Sequence, residues 1–167
     1  MKKFTQNEEG YEQSLGYIAF KTFLDTYLVE RNYEKTISFV DDDYYCLGTG
    51  RDEVITNKSA LRNLLQSKIK MINEPISYEV NLISGKEVAE NVWNILAVVE
   101  LLLPNRGGRG GRYTVGFSGC FIIKADGFVV TEVHLSARED VHTGAQNGTG
   151  DDEQMEDWFE RDIVPWL

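Results

Sequence analysis

Residues 113–136 read YTVGFSGCFIIKADGFVVTEVHLS, and apolar residues alternate with small or polar ones along most of this stretch. Such alternation is typical of a β-strand whose two faces meet different surroundings. Residues 124–127 (KADG) interrupt the alternation and contain the Asp-Gly pair that favours a tight turn. The stretch is therefore predicted to form a β-hairpin.

The second strand of this hairpin carries a line of polar side chains. Glu132, His134 and Ser136 are two residues apart, so in a regular strand they lie on one face, together with Phe128 and Val130. A face that is half apolar and ends in polar groups suits the wall of a ligand pocket. We therefore expect this face to border a cavity.

Three helices are predicted before most of the strands. Apolar residues at helical spacing predict a first helix over residues 9–30, and Asn32 can cap a short second helix that ends at Asp41-Asp42-Asp43. Thr56 or Asn57 opens a third helix, which Pro75 must end.

The predicted strands come mostly in the second half of the chain. They cover residues 44–47, 76–84, 88–103 and the hairpin, with Ile76, Tyr78, Val80 and Leu82 on one face, a turn at 84–87 and a Gly-rich connection at 104–112. Helices first and an antiparallel sheet of about five or six strands second is the order of an α+β fold. Such a sheet can curve strongly around the first helix as a cone.

Composition limits the function classes. The chain has 167 residues and a net charge of −10, which predicts one acidic globular domain and argues against nucleic-acid binding. Its two cysteines lack zinc-site spacing, so neither a metal nor a cofactor is expected. The longest apolar run is too short to span a bilayer and no secretion signal is recognised, which favours a cytoplasmic protein that does not contact membranes.

The domain is predicted to cover residues 1–143. Residues 144–150 are rich in glycine and polar residues, which is typical of a flexible linker. Residues 151–167 then form an acidic stretch with apolar side chains at helical spacing: Met155, Trp158, Phe159 and Ile163. A Gly-rich linker and a short C-terminal helix over residues 144–167 are the prediction for this end of the chain.

Over residues 9–137 the sequence resembles the nuclear transport factor 2-like (SnoaL-like) superfamily. The resemblance depends on the long first helix, the short second helix before Tyr45-Cys46-Leu47, and the ending Val133-His134-Leu135-Ser136. It implies a cystatin-like, cone-shaped α+β barrel, a homodimer formed through the sheet, and an apolar pocket between sheet and helices. Because the superfamily includes isomerases, cyclases, dehydratases, assembly domains and ligand-binding domains, it implies no single activity.

The enzyme hypothesis requires an acid–base group. Ketosteroid isomerases of this superfamily place a carboxylate base shortly after the second helix. This chain has Leu47 or Gly48 there, so the expected base is missing. His134 with Glu132 is a different candidate acid–base pair, since a carboxylate can orient an imidazole. The non-catalytic alternative places His134 at a dimer interface and Glu132 in solvent.

The pocket hypothesis assigns five residues to ligand binding. Aromatic groups with a polar tip can line a concave site, although each of them is more often simply core. The candidates are His134, Trp93, Tyr45, Tyr17 and Ser136. The favoured function is a dimeric, non-catalytic domain that binds a small apolar ligand, with a sensory role as one option. The alternative is a small isomerase-, cyclase- or dehydratase-like enzyme acting by proton transfer on an apolar cyclic substrate.

Overall fold

A computed structural model describes residues 2–48, 54–106 and 109–137. The helices are α1 (Leu15–Leu24), α2 (Tyr33–Ser38) and α3 (Lys58–Met71), with a short 3-10 helix (Tyr11–Gln13) before α1 and a π-helix (Asp25–Val29) after it. The strands are β1 (Lys3–Thr5), β2 (Val40–Leu47), β3 (Val54–Ile55), β4 (Ser77–Ala89), β5 (Val92–Arg106), β6 (Arg109–Lys124) and β7 (Gly127–Ala137). The predicted C-terminal segment 144–167 lies outside the described residues.

The described strands form one sheet in the order β1-β4-β5-β6-β7-β2-β3. Neighbours are antiparallel except β2 and β7, which run parallel. Helix α1 packs on the inner face of β4, β5 and β6. The α+β class and the curved sheet are thus confirmed. The sheet was predicted to be antiparallel but contains one parallel pair, and it has two additional short edge strands, β1 and β3.

Side-chain caps place the helices. The side-chain oxygen of Ser14 accepts a hydrogen bond from the backbone N–H of Tyr17 (3.1 Å), Asn32 does the same for Lys35 (3.0 Å), and Asn57 for Ala60 (2.9 Å). Each cap satisfies one of the N–H groups that the first helical turn leaves unpaired. The predicted starts at Asn32 and Asn57 are confirmed, whereas the predicted helix over residues 9–30 is divided into three helical segments.

The segment Asp41-Asp42-Asp43 is not the end of a helix. Helix α2 ends at Ser38, and the three aspartates lie in β2. The carbonyl of Phe39 accepts a hydrogen bond from the N–H of Val130 in β7 (2.7 Å), so this part of the chain already belongs to the sheet. Tertiary pairing has outweighed the low strand propensity of aspartate here.

Strand β4 runs through the predicted turn at residues 84–87. Gly85 lies within this strand. A larger residue would not fit there, because a Cβ would collide with the ring of Phe4 and lie 2.8 Å from Cδ1 of Ile95. The actual turn to β5 comes at Glu90 and Asn91, and Asn91 adopts a left-handed conformation (φ 59°). The glycine is therefore required for packing rather than for a turn.

Two β-bulges change which side chains face the helices. Val80 pairs with Val99 but Leu82 pairs with Val98, so Asn81 is an extra residue in β4. In β7, Thr131 is an extra residue in the same way, between Val130 and Glu132. An extra residue reverses the alternation of faces beyond it.

The inner face of the sheet is the core of the molecule. Its buried side chains include Trp93, Ile95, Ala97 and Val99 of β5, as their shared parity predicted, and Phe117 and Phe121 of β6. Phe20 of α1 meets Phe117 edge-on, with ring centroids 5.2 Å apart. Burial of such side chains stabilises the fold by roughly 1.5–3 kcal/mol each.

Gly16 allows α1 to approach β5 closely. A Cβ at this position would lie 2.6 Å from Cε3 of Trp93, too close for a real contact. Replacing an internal helix glycine with alanine ordinarily gains about 1 kcal/mol, but overpacking of a core costs about 1–3 kcal/mol. We expect Gly16→Ala to lower the free energy of unfolding by about 1–2 kcal/mol in urea titrations. Ser67→Ala, an exposed change on α3, is the control, and a stabilised Gly16→Ala protein would contradict the packing argument.

The predicted Gly-rich connection over residues 104–112 is shorter than expected. Strand β5 continues to Arg106 and β6 begins at Arg109, and Arg106 pairs with Arg109 across the two strands. As for membranes, none of the helices that the structure describes is both long and apolar enough to cross one.

Candidate functional site

The outer face of the sheet, on the side away from α1, carries two neighbouring rows of side chains across four strands. One row contains Leu82, Val98, Gly116 and Ser136 from β4, β5, β6 and β7, and the next contains Ser84, Leu96, Ser118 and His134. Leu82 is 60% exposed and Leu96 61% exposed. The centre of this face is therefore an apolar surface that no described part of the chain covers.

A groove of about 340 Å³ runs along this surface. The small residues Gly116 and Ser118 of β6 form its floor. The Ser136 hydroxyl lies so close to Gly116 that a Cβ at position 116 would collide with it. Ala97 and Phe117 complete the lining together with the two rows. The groove thus has a leucine-rich wall on β4 and β5 and a polar wall of His134 and Ser136 on β7.

Charged and polar rows border this apolar surface at both ends. Beyond the Leu82 row lie Glu79 and Glu100, which face each other across β4 and β5, and Arg112 of β6 forms an ion pair with Glu100. Beyond the Ser84 row lie Lys86 and Glu132, both exposed. An apolar centre with a charged border is the usual anatomy of a protein–protein interface.

Four of the sequence-predicted site residues lie on the outer face. Glu132, His134 and Ser136 share this face as predicted, and Tyr45 of β2 lies beside Glu132 as its parallel-strand neighbour. The expected presence of Phe128 and Val130 on the same face is wrong, since both precede the bulge and Phe128 packs against Phe121 of the core. The bulge at Thr131 turns Val130 into the core, where it is fully buried.

The other two candidates, Trp93 and Tyr17, lie on the inner side. Trp93 is buried and its ring centroid lies 5.9 Å from that of Phe4. The Tyr17 ring meets Phe4 edge-on at 6.2 Å and Tyr11 at 5.2 Å. The structure therefore divides the five proposed ligand-binding residues into an outer group of three and an inner aromatic cluster of two.

A second group of polar side chains joins α1 to β4. The Tyr78 hydroxyl donates to Oδ1 of Asp25 (2.6 Å), and Lys21 Nζ donates to the same oxygen (2.9 Å) and to the Tyr78 hydroxyl oxygen (2.7 Å). Burial and the hydrogen bond to Asp25 raise the pKa of Tyr78 well above its ordinary value. These three hydrogen bonds join the end of α1 to β4.

Two tyrosines inside the cone are also held neutral. Burial raises the pKa of Tyr27 to about 12, against the lowering effect of the nearby Arg31 guanidinium. Burial also raises the pKa of Tyr44 well above its ordinary value, and Cys46 beside it adds to the effect. These phenols serve as large core side chains at neutral pH.

In the described part of the chain, no three His, Cys, Asp or Glu side chains converge as metal ligands would.

Sequence reasoning missed the apolar part of the outer face. Leu82 was expected on the same face as Val80, and Leu96 and Val98 were not identified as surface residues. Two signals in the sequence could have found them. Leu82 and Ile83 are adjacent and apolar, which breaks the two-residue period, and both parities of β5 are apolar around Leu96, as in a sheet covered on both faces.

Solved structures similar to this chain were found. A Xanthomonas campestris protein described as a calcium/calmodulin-dependent protein kinase II association domain has a TM-score of 0.64 at 16% identity, covering 81% of this chain and 91% of its own. A ketosteroid isomerase-like protein of Erwinia carotovora atroseptica has a TM-score of 0.60 at 16% identity, covering 75% and 95%. A nuclear transport factor 2-like protein of unknown function from Pseudomonas putida KT2440 has a TM-score of 0.58 at 13% identity, covering 75% and 89%.

No protein-family model matches the sequence, and no curated protein does. The similarity to solved structures therefore establishes the fold and leaves the activity open, because one fold can support many functions. The α1 helix held in a curved sheet, the order of the elements and these three matches agree. The chain has the cone-shaped α+β fold of the nuclear transport factor 2-like superfamily.

Proposed function

We propose that this protein is a non-catalytic domain that forms a homodimer by pairing the outer faces of two sheets. The observation that carries the proposal is the pair of exposed leucines, Leu82 and Leu96, at the centre of an apolar surface with charged borders. Contiguous apolar surface of this kind mostly marks an interaction site. A leucine-rich wall beside a groove with a small-residue floor can also fit a second copy of itself around a two-fold axis.

The comparison with solved structures supports a second copy as the occupant. One similar structure is described as an association domain, and its fold matches over most of both chains. Burial of the two leucines and Val98 in each copy would supply a central anchor of the kind that dominates interface energetics. The predicted cytoplasmic location and the predicted lack of nucleic-acid and membrane partners stay predictions.

A small apolar ligand is the second candidate occupant of the outer groove. Its volume of about 340 Å³ lies within the range of small-molecule sites. His134 and Ser136, two of the predicted ligand-binding residues, line it and could donate hydrogen bonds to a guest. This function competes with dimerisation for the same surface, so one experiment can distinguish them.

The proton-transfer alternative is less well supported by the geometry. It needs His134 and Glu132 beside a substrate held between sheet and helices, whereas both side chains are exposed on the outer face. A substrate would then have to bind in the open groove, where water competes for every polar contact.

The test uses the two cysteines that the chain already contains. Cys120 lies on the outer face beside Glu132, and Cys46 is 2% exposed in the core. We expect sedimentation velocity to show a dimer at micromolar concentrations, and thiol labelling of Cys120 to slow as concentration rises. Labelling of Cys46 should report only unfolding. A monomer at all concentrations, with Cys120 labelled at a constant rate, would contradict the proposal and direct the search to a ligand of the groove.

A further inference from the structure

We infer that His134 makes the proposed dimer sensitive to pH, so that the interface forms with a neutral imidazole and opens when the imidazole is protonated. The inference rests on the proposed function. It follows from the position of His134 in the wall of the outer groove, at the centre of the surface that a second copy would cover.

Among the described residues that line this groove, His134 is the sole titratable side chain. The other lining residues are aliphatic, aromatic, glycine or serine: Leu82, Ser84, Leu96, Ala97, Val98, Gly116, Phe117, Ser118 and Ser136. A neutral imidazole can exchange hydrogen bonds with the serine hydroxyls, as donor and as acceptor. Within the described part of the chain, the groove lining contains no carboxylate with which an imidazolium could pair.

The charged groups that face His134 lie outside the groove. On its own strand the neighbour is Glu132, two residues away. Across β6 it faces Ser118, with Cys120 beyond, and across β2 it faces Leu47, with Tyr45 and Asp43 beyond. On β5 and β4, Leu96 and Ser84 continue its row, and Lys86 is the next charged group on β4.

The direction of the effect follows from desolvation. Histidine ordinarily changes charge between about pH 5 and 8. In a free protomer the His134 side chain is exposed, so a charge on its imidazole stays in contact with water. In the dimer the same proton must be buried in an apolar interface, which is costly unless the charge is paired. Protons therefore bind the free protomers better, and by linkage acidification shifts the equilibrium towards them.

The general effect of acid on this chain has the opposite sign. At a net charge of −10, two copies repel each other, and uptake of protons by surface carboxylates reduces that repulsion. Loosening of the dimer in acid is therefore the result that distinguishes His134 from the overall charge.

The experiment measures the dimer Kd by sedimentation equilibrium of the full chain from about pH 7.5 to about pH 5.5. Because two copies of His134 enter each interface, we expect the Kd of the wild-type protein to rise by about 10- to 100-fold over this range. His134→Gln should stay dimeric with a Kd that changes less than about threefold, since glutamine keeps polarity without the charge. His142→Gln, at the other histidine of the chain, should keep the wild-type pH dependence.

Each other outcome is decisive. A chain that is monomeric throughout contradicts the proposed dimer itself. A dimer whose Kd is constant, or that loosens equally in wild type and His134→Gln, overturns the role of His134 and leaves the dimer standing. A dimer that tightens in acid through His134 overturns the inference too, since it indicates that the imidazolium pairs with Glu132 of the second copy.

Discussion

Leu96→Glu is expected to abolish dimerisation while leaving the protomer folded. Leu96 lies in the centre of the outer face, so in the proposed dimer each copy would bury an unpaired carboxylate there. An uncompensated buried charge costs roughly 3–5 kcal/mol, and two occur per dimer. We therefore expect the dimer Kd to rise by at least about 1000-fold, measured by sedimentation equilibrium at neutral pH.

The matched control for this change is Leu15→Glu. Leu15 is 48% exposed in the first turn of α1, on the opposite side of the sheet from the proposed interface. A carboxylate near a helix N-terminus is mildly favourable, so this control should fold normally and remain a dimer. In thermal unfolding, the free energy of unfolding of both variants should lie within about 1 kcal/mol of the wild-type value, as expected for surface changes.

Two results would be informative against the proposal. If Leu96→Glu remains a dimer with an unchanged Kd, the interface lies elsewhere on the molecule and the outer groove is free for a ligand. If Leu15→Glu and Leu96→Glu both dissociate, the loss comes from added negative charge on an already acidic chain rather than from the outer face.

The order and type of the elements could be predicted from the sequence because they depend on local signals. Asn32 and Asn57 cap helices, Asp126-Gly127 turns a hairpin, and strand periodicity marks β4 to β7. The α+β class followed from these signals, the cone-shaped form of the fold followed from the resemblance to the nuclear transport factor 2-like superfamily, and both were confirmed. Strands β1 and β3 were missed because short edge strands have too few residues to show a period.

The faces of the strands were harder to predict than the strands themselves. A single extra residue at Asn81 moved Leu82 to the outer face, and one at Thr131 moved Val130 into the core. Periodicity within a strand assumes an unbroken ladder, and a bulge is decided by the partner strand, which the local pattern does not contain. The candidate site was therefore predicted in part: His134 and Ser136 line the groove, and the leucines opposite them were not expected.

Two of the three aromatic candidates, Trp93 and Tyr45, are expected to differ sharply in their effect on stability when truncated. Trp93 is 3% exposed and packs against Gly16 and Phe4, whereas Tyr45 is 42% exposed on the outer face. Removal of a buried tryptophan side chain costs about 3–5 kcal/mol, because the lost transfer energy adds to the cost of a cavity. Trp93→Ala should lower the free energy of unfolding by that amount, and Tyr45→Ala by less than about 1 kcal/mol.

A double substitution separates packing from other causes of the Trp93 effect. If the indole ring is what excludes a side chain at position 16, then Gly16→Ala should cost nothing in a Trp93→Ala background and should gain the usual helix propensity of about 1 kcal/mol. Urea unfolding of the four proteins in this cycle measures the coupling. Additive effects would show that the two residues do not press on each other. A Trp93→Ala protein of normal stability would instead assign Trp93 to a site that tolerates an open cavity, as the pocket hypothesis for the inner side requires.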